Sequence, residues 1–194
     1  MSAASPTSAR KPSARDRLLA AADELFYAEG VHTVGIDRVI ERAGVAKASL
    51  YSTFGSKDEL VRAYLEGRHE IRRARLLAGL ERFDDPRERL LGVFDVLAEV
   101  SAAPGFRGCA FYNASAESAP GSAAEQVSAA NRAWTRGLFT DLARDAGAPD
   151  PPALADQLMI LYDGATVGAR MDHGPAAGNT ARTIVAVLLD AAHL

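Results

Sequence analysis

The chain is poor in the residues that build covalent or metal-held frameworks. Its 194 residues include one cysteine, Cys109, so neither an intramolecular disulfide framework nor a cysteine-based zinc cluster is available. The four histidines, at positions 32, 69, 173 and 193, include no two at helical ligand spacing, and no metal or cofactor is implied. No uninterrupted apolar run of about 18 residues is present, so nothing reads as a membrane span. The opening stretch, MSAASPTSARKPSARDR, has basic residues without an apolar segment behind them. It lacks the form of a secretory signal, and a cytoplasmic protein is the expectation. Glycine-rich phosphate loops, local catalytic signatures, internal repeats and strand-like alternation are also missing. Lysine is scarce, and its three copies, Lys11, Lys47 and Lys57, all fall in the first third.

What is present is helical, and 48% of the residues are hydrophobic, enough to bury one or two helical cores. The net charge of −3 argues against a generic polyanion binder but hides an asymmetry. Residues 1–82 carry 14 Lys and Arg against 11 Asp and Glu, whereas residues 83–194 carry 8 against 14. A first part that meets phosphate would look like this, and so would a surface charged unevenly by chance.

The pattern turns specific between Gly35 and Lys57. Ile36, Val39, Ile40 and Ala43 recur at helical spacing with Asp37, Arg38, Glu41 and Arg42 on the opposite face. Gly44 supplies the permissive backbone that a tight turn needs, and Val45 can plug the corner. A second short helix starts at about Ala46. Leu50 and Phe54 face its core, leaving Lys47, Ala48, Ser49, Tyr51, Ser52 and Thr53 outside. Small side chains permit close approach to a duplex, while hydroxyls and an ammonium bond base edges or phosphates.

Phe26-Tyr27-Ala28-Glu29-Gly30, Val39-Ile40-Glu41-Arg42-Ala43-Gly44-Val45, and Leu50-Tyr51-Ser52-Thr53-Phe54-Gly55-Ser56-Lys57 with Leu60 resemble the DNA-binding domain of the tetracycline-repressor (TetR) family of bacterial regulators. The resemblance runs from about Arg15 to about Tyr64. The chain departs from the family's pattern at Gly35 and Ala46, where a hydroxyl residue often caps the helix, and at Thr53, where a histidine or aromatic residue is common. The resemblance implies an all-α protein: a three-helix helix-turn-helix domain followed by a helical domain that senses a small molecule and dimerises.

About nine helices follow from capping and periodicity. Residues 1–13 form a flexible arm, either an idle tail or one that follows bound DNA. Residues 14–60 form the DNA-binding domain and 61–194 the effector and dimerisation domain. Ser13 caps the first helix, whose Arg15 and Arg17 are candidate phosphate contacts or solvated surface residues. Ser56 and Glu59 form a capping box for a linking helix from Lys57 to about Phe83, and Lys57 at its amide end is a phosphate ligand. Along that helix Arg68, Arg72, Arg73 and Arg75 solvate it or pair with Glu66 and Glu70. Asp85-Pro86 opens the next helix, to about Ala103; further helices span Phe106 to about Glu117, Ser122 to Ala146, Ala153 to Met171, and Asn179 to His193. Gly164, Ala165, Gly168 and Ala169 allow close helix contact. The apolar run Ile184, Val185, Val187, Leu188 and Leu189 needs cover, either from a second copy in a four-helix dimer interface or within the monomer.

By resemblance, the second domain holds a largely apolar effector pocket. Phe94, Leu97, Phe106, Cys109, Phe111, Tyr112, Trp134, Met159, Tyr162 and Met171 are candidate walls, with Asn113, Glu117, Asp163 and Arg170 as candidate polar groups. Ordinary core packing is the competing role for each. Cys109 is a candidate reactive thiol or a small core residue. The expected function is a dimeric repressor that binds a palindromic operator in double-stranded DNA and is released by a small molecule. The alternatives are a regulator without an effector, or a small helical enzyme with Cys109 as nucleophile and His69 or His173 as base.

Overall fold

A computed structural model describes residues 12–116 and 118–194; most of the expected N-terminal arm, and Glu117, lie outside the described residues. Nine α-helices and no strand occur among the described residues. The chain divides into two units, Met1–Tyr64 and Leu65–Leu194, with the boundary falling inside the fourth helix.

The first unit contains α1 (Ala14–Glu29), α2 (Ile36–Ala43), α3 (Lys47–Phe54) and the first turns of α4 (Lys57–Leu80). Ser13 begins α1 with a complete capping box: its hydroxyl accepts from the Asp16 amide, and the Asp16 carboxylate accepts from the Ser13 amide. Leu18, Ala22, Leu25 and Phe26 then bury one face of α1 with Val39 and Ala43 of α2, Leu50 of α3, and Leu60 and Tyr64 of α4 also inside. Phe26 meets Tyr64 edge to face at 5.6 Å. The Ser56 hydroxyl accepts from the Glu59 amide at 3.1 Å, but the expected capping box is only half formed, because the Glu59 carboxylate pairs with Arg62 instead.

The second unit continues α4 and adds α5 (Pro86–Ser101), α6 (Ala110–Ser115), α7 (Ala123–Asp145), α8 (Pro151–Asp172) and α9 (Ala176–Ala191). Its core combines Leu80 of α4, Leu90 and Phe94 of α5, Phe139 and Leu142 of α7, Leu158 and Met159 of α8, and Val185 and Leu189 of α9. The rings of Phe94, Phe139 and Tyr162 form a triangle with centroids 6.0 Å apart. At Gly178 an added Cβ would lie 3.1 Å from the Ala98 backbone, so glycine is what lets α9 approach α5 this closely.

Three helix starts differ from expectation. Phe106 through Cys109 are not helical; α6 begins at Ala110, with the Cys109 sulfur accepting from the Tyr112 amide. Helix α8 begins two residues early, at Pro151, because proline at a first helical position has no amide to leave unpaired and Asp150 caps the turn. Helix α9 likewise starts at Ala176, following Pro175.

Candidate functional site

The exposed side of α3 is assembled by contacts behind it. Gly44 adopts the left-handed conformation, with φ of 61°, that reverses the chain after α2. Arg17 locks this turn: its Nη1 donates to the Gly44 and Ala43 carbonyls at 2.9 and 3.3 Å, consuming acceptors left open at the end of α2. Arg17 therefore belongs to the scaffold rather than to a solvated or phosphate-facing surface. Arg15, by contrast, places its guanidinium 5.7 Å from the Phe54 ring centroid, holding the far end of α3. Neither Gly35 nor Ala46 provides a side-chain cap; the first turn of α3 closes through the Ser49 amide and the Ala46 carbonyl, at 2.9 Å.

With Leu50 fully buried, Lys47, Ala48, Tyr51, Ser52 and Thr53 are exposed and Ser49 is half-buried. The Ser52 and Thr53 hydroxyls donate to the Ser49 carbonyl at 3.2 and 2.6 Å, leaving oxygen lone pairs as their outward chemistry. The Lys47 ammonium pairs with Asp37 at 2.9 Å, and hydrogen bonding and attraction to that carboxylate raise its pKa above the usual lysine range. Such an exposed pair is weak and yields readily to a competing phosphate. On the outer side of α2, Arg38 and Arg42 are tied to Glu29 and Glu24 of α1 at 2.6 and 2.7 Å. Lys57 is half-buried at the start of α4, and desolvation lowers its pKa.

In the second unit the structure separates the candidate pocket residues. Phe94 and Met159 lie in the core, Phe111 is buried, and Phe106 and Cys109 are half-buried. Tyr112 and Asn113 are exposed and therefore do not wall an enclosed space; Asn113 donates to the Arg107 carbonyl at 3.0 Å. Asp163 pairs with Arg132 at 2.6 Å. Trp134 and Tyr162 do converge, on residues that periodicity alone does not single out. The Arg72 guanidinium lies 5.8 Å from the Trp134 ring and 5.4 Å from the Tyr162 ring, while its Nη1 donates to Asn131 Oδ1 and Thr135 Oγ1 at 3.2 and 3.1 Å. His69 packs edge-on to Trp134 at 5.5 Å, and its Nδ1 is 3.1 Å from the same Asn131 oxygen. An amide oxygen only accepts, so His69 Nδ1 is the donor in its bond to Asn131. Neither Arg72 nor Arg73 pairs with Glu66 or Glu70, so the pairing alternative fails for both; Arg73 is exposed, whereas Arg72 turns to Asn131 and Thr135. Helical spacing places Asn131 and Thr135 four apart on the buried stripe of α7, and His69 and Arg72 three apart on α4, but it does not pair the two helices.

Among the described residues no helix is long and apolar enough to cross a membrane. Residues 18–64 match the family model of bacterial regulatory proteins, tetR family. A TetR-family transcriptional regulator from Streptomyces coelicolor superposes with a TM-score of 0.86 at 34% identity, over 92% of this chain and 95% of that one. The transcriptional activator FasR of Mycolicibacterium smegmatis is 34% identical over 69% of this chain, and the transcriptional regulator LmrA of Bacillus subtilis 32% identical over 45%. The matches span 60% and 45% of the length of these two curated relatives. With the outward surface of α3, its glycine turn and this likeness over nearly the whole chain, the protein belongs to the tetR family of bacterial regulatory proteins, helix-turn-helix regulators of transcription that bind DNA.

Proposed function

We propose that this chain acts as a homodimeric repressor that grips a palindromic operator with one α3 per half-site and lets go when a small molecule occupies the second unit. The observation that carries the reading is the division of α3 into one fully buried leucine and an outward set of small, hydroxyl and cationic side chains. Phosphate contacts from Lys57, with Tyr51 and Lys47, supply affinity; Ala48, Ser49, Ser52 and Thr53 face base edges and supply sequence choice. The domain limits proposed are 14–60 for DNA binding and 61–194 for effector binding and dimerisation, with residues 1–13 as an arm.

Support for a dimer comes from an apolar stripe that the monomer leaves uncovered. Ile160, Val167 and Met171 on α8 are 71%, 44% and 71% exposed, and Ile184 and Val187 on α9 are 43% and 63% exposed. Residues spaced by three, four and seven on two adjacent helices suit an isologous four-helix interface. For release, the effector must bind better to a dimer whose recognition helices are not about 34 Å apart; a ligand indifferent to that spacing shifts nothing. The name of the M. smegmatis relative favours a second reading, activation, which the position of the operator relative to the promoter would decide. A gel shift with the DNA upstream of the protein's own gene tests the proposal. Sequence-selective, salt-sensitive retardation supports it, and turnover of a substrate without retardation would favour an enzyme.

A further inference from the structure

We propose that Arg72, with Arg73 and the Trp134 indole between them, binds the anionic group, carboxylate or phosphate, of an otherwise apolar effector. The proposal rests on the effector reading above and names the chemistry of the ligand. A guanidinium carries five N–H donors in a planar fork. Arg72 commits only Nη1, to Asn131 and Thr135, and its Nε and Nη2 have no hydrogen-bond partner among the described residues. These two atoms are not among the fully buried unpaired ones, which are Nε of Arg17 and of Arg89, so each keeps some exposure to solvent. Side by side, Nε and Nη2 form the edge that accepts two oxygens of a carboxylate or phosphate.

No protein carboxylate occupies that edge. The neighbouring acids of α8 are held by arginines of α7, Asp163 by Arg132 at 2.6 Å and Asp156 by Arg136 at 3.1 Å. On α4 itself, Glu66 and Glu70 form no ion pair with Arg72 or Arg73. Arg73 also has no acidic partner among the described residues, and its guanidinium lies 6.0 Å from the Trp134 ring centroid. Two guanidinium groups without an acidic partner thus flank one indole; Arg72 is half-buried, where a cation costs more than in water, and Arg73 is exposed. A neutral or cationic effector would leave both charges unpaired, whereas an anion neutralises them. Buried Asn131 and Thr135 fix the direction of Arg72. The Tyr162 ring, backed by Phe94 and Phe139, offers apolar surface for the remainder of the ligand.

Trp134 is the sole tryptophan of the chain, so intrinsic fluorescence of the full-length protein reports on this site directly. Octanoate, octyl phosphate and octanol share a chain and differ in head group. The expected result is a saturable fluorescence change with octanoate or octyl phosphate, the stronger of the two identifying the head group, and none with octanol at matched concentration. Arg72→Met should weaken the anion response at least about tenfold, and Arg72→Lys, which keeps the charge but not the fork, by less. Circular dichroism checks that each variant is folded; if Arg72→Met is not, the lysine variant and the octanol comparison decide. An octanol response equal to that of the anions, wild-type binding by a folded Arg72→Met, or silence toward both anions overturns the proposal. A parallel melting screen with neutral apolar compounds separates the two readings. Stabilisation by a neutral compound alone would sink the anionic site and keep the effector, and stabilisation by nothing would count against both.

Discussion

Lys47 and Lys57 are both lysines near the proposed duplex, yet their surroundings assign them different tasks. Lys47 is exposed and loosely held by Asp37, so it can exchange that carboxylate for a base edge or phosphate; Lys57 is half-buried, so its position is set and its charge is less hydrated. Lys57→Ala should weaken binding to all sequences alike and reduce the salt slope by about 0.9 per lost phosphate contact, whereas Lys47→Ala should also alter sequence preference. Filter binding at several salt concentrations on operator and scrambled DNA checks both. Burial of Lys57 has a second consequence. Its folded pKa lies below its unfolded one, near about 10.4, so the unfolded chain binds more protons in the alkaline range and stability rises with pH there. Because the raised pKa of Lys47 acts in the opposite direction over the same range, the rise is read as the difference between wild type and Lys57→Met in urea unfolding, which should grow from neutral to alkaline pH. Arg17 teaches the opposite lesson. From sequence it is one more surface arginine; only the fold shows it closing the end of α2, because its acceptors are backbone carbonyls 26 and 27 residues away. Arg17→Met should destabilise the protein by about 1–2 kcal/mol in urea unfolding, by leaving those carbonyls unsatisfied.

Among the elements, several bounded by local chemistry were legible, although Asp150 with Pro151 opens α8 two residues before the expected start. Ser13 with Asp16, Gly44, and Asp85 with Pro86 each mark a helix end through bonds within a few residues, and each acts as such in the structure. Helix α6 was misplaced because Cys109, a weak acceptor, does the capping that a serine would have advertised. The His69, Arg72, Asn131 and Thr135 cluster was not legible, since it joins α4 to α7 over about sixty residues and no local rule predicts which polar residue on a buried stripe finds a partner. Helix α9 was ambiguous for a physical reason: Val185 and Leu189 serve the monomer's core while Ile184 and Val187, one turn face away, do not. That split makes the dimer testable without disturbing the fold. Ile160→Glu with Val187→Glu places charges on the uncovered stripe, and because both sites are more than half exposed the monomer should lose no more than about 0.5 kcal/mol per site. Sedimentation should then report monomers with unchanged helix content, and operator affinity should fall. Dimers of wild-type strength would place the interface elsewhere.

At the scale of the whole molecule, a first part with excess basic charge and a remainder with excess acid confine the attraction for DNA to residues 1–82, because the 14 acids against 8 bases of residues 83–194 keep that part from adding to it. In the proposed dimer, affinity would then depend on two weakly charged reading heads acting together rather than on a broad basic surface. A rigid pair of recognition helices imposes a geometric rule that independent monomers would not obey. Major-groove faces recur along one side of B-DNA about every 34–36 Å, roughly 10–10.5 base pairs. Inserting five base pairs between the operator's half-sites turns the second groove to the far side of the duplex, and inserting ten restores the side but adds a full turn of distance. Independent monomers would tolerate both, and a flexible dimer would recover at ten. If the α8 and α9 stripe fixes the spacing, gel shifts should show tight binding at the natural separation and strong loss at both insertions, with each half-site alone binding as weakly as the inserted operators.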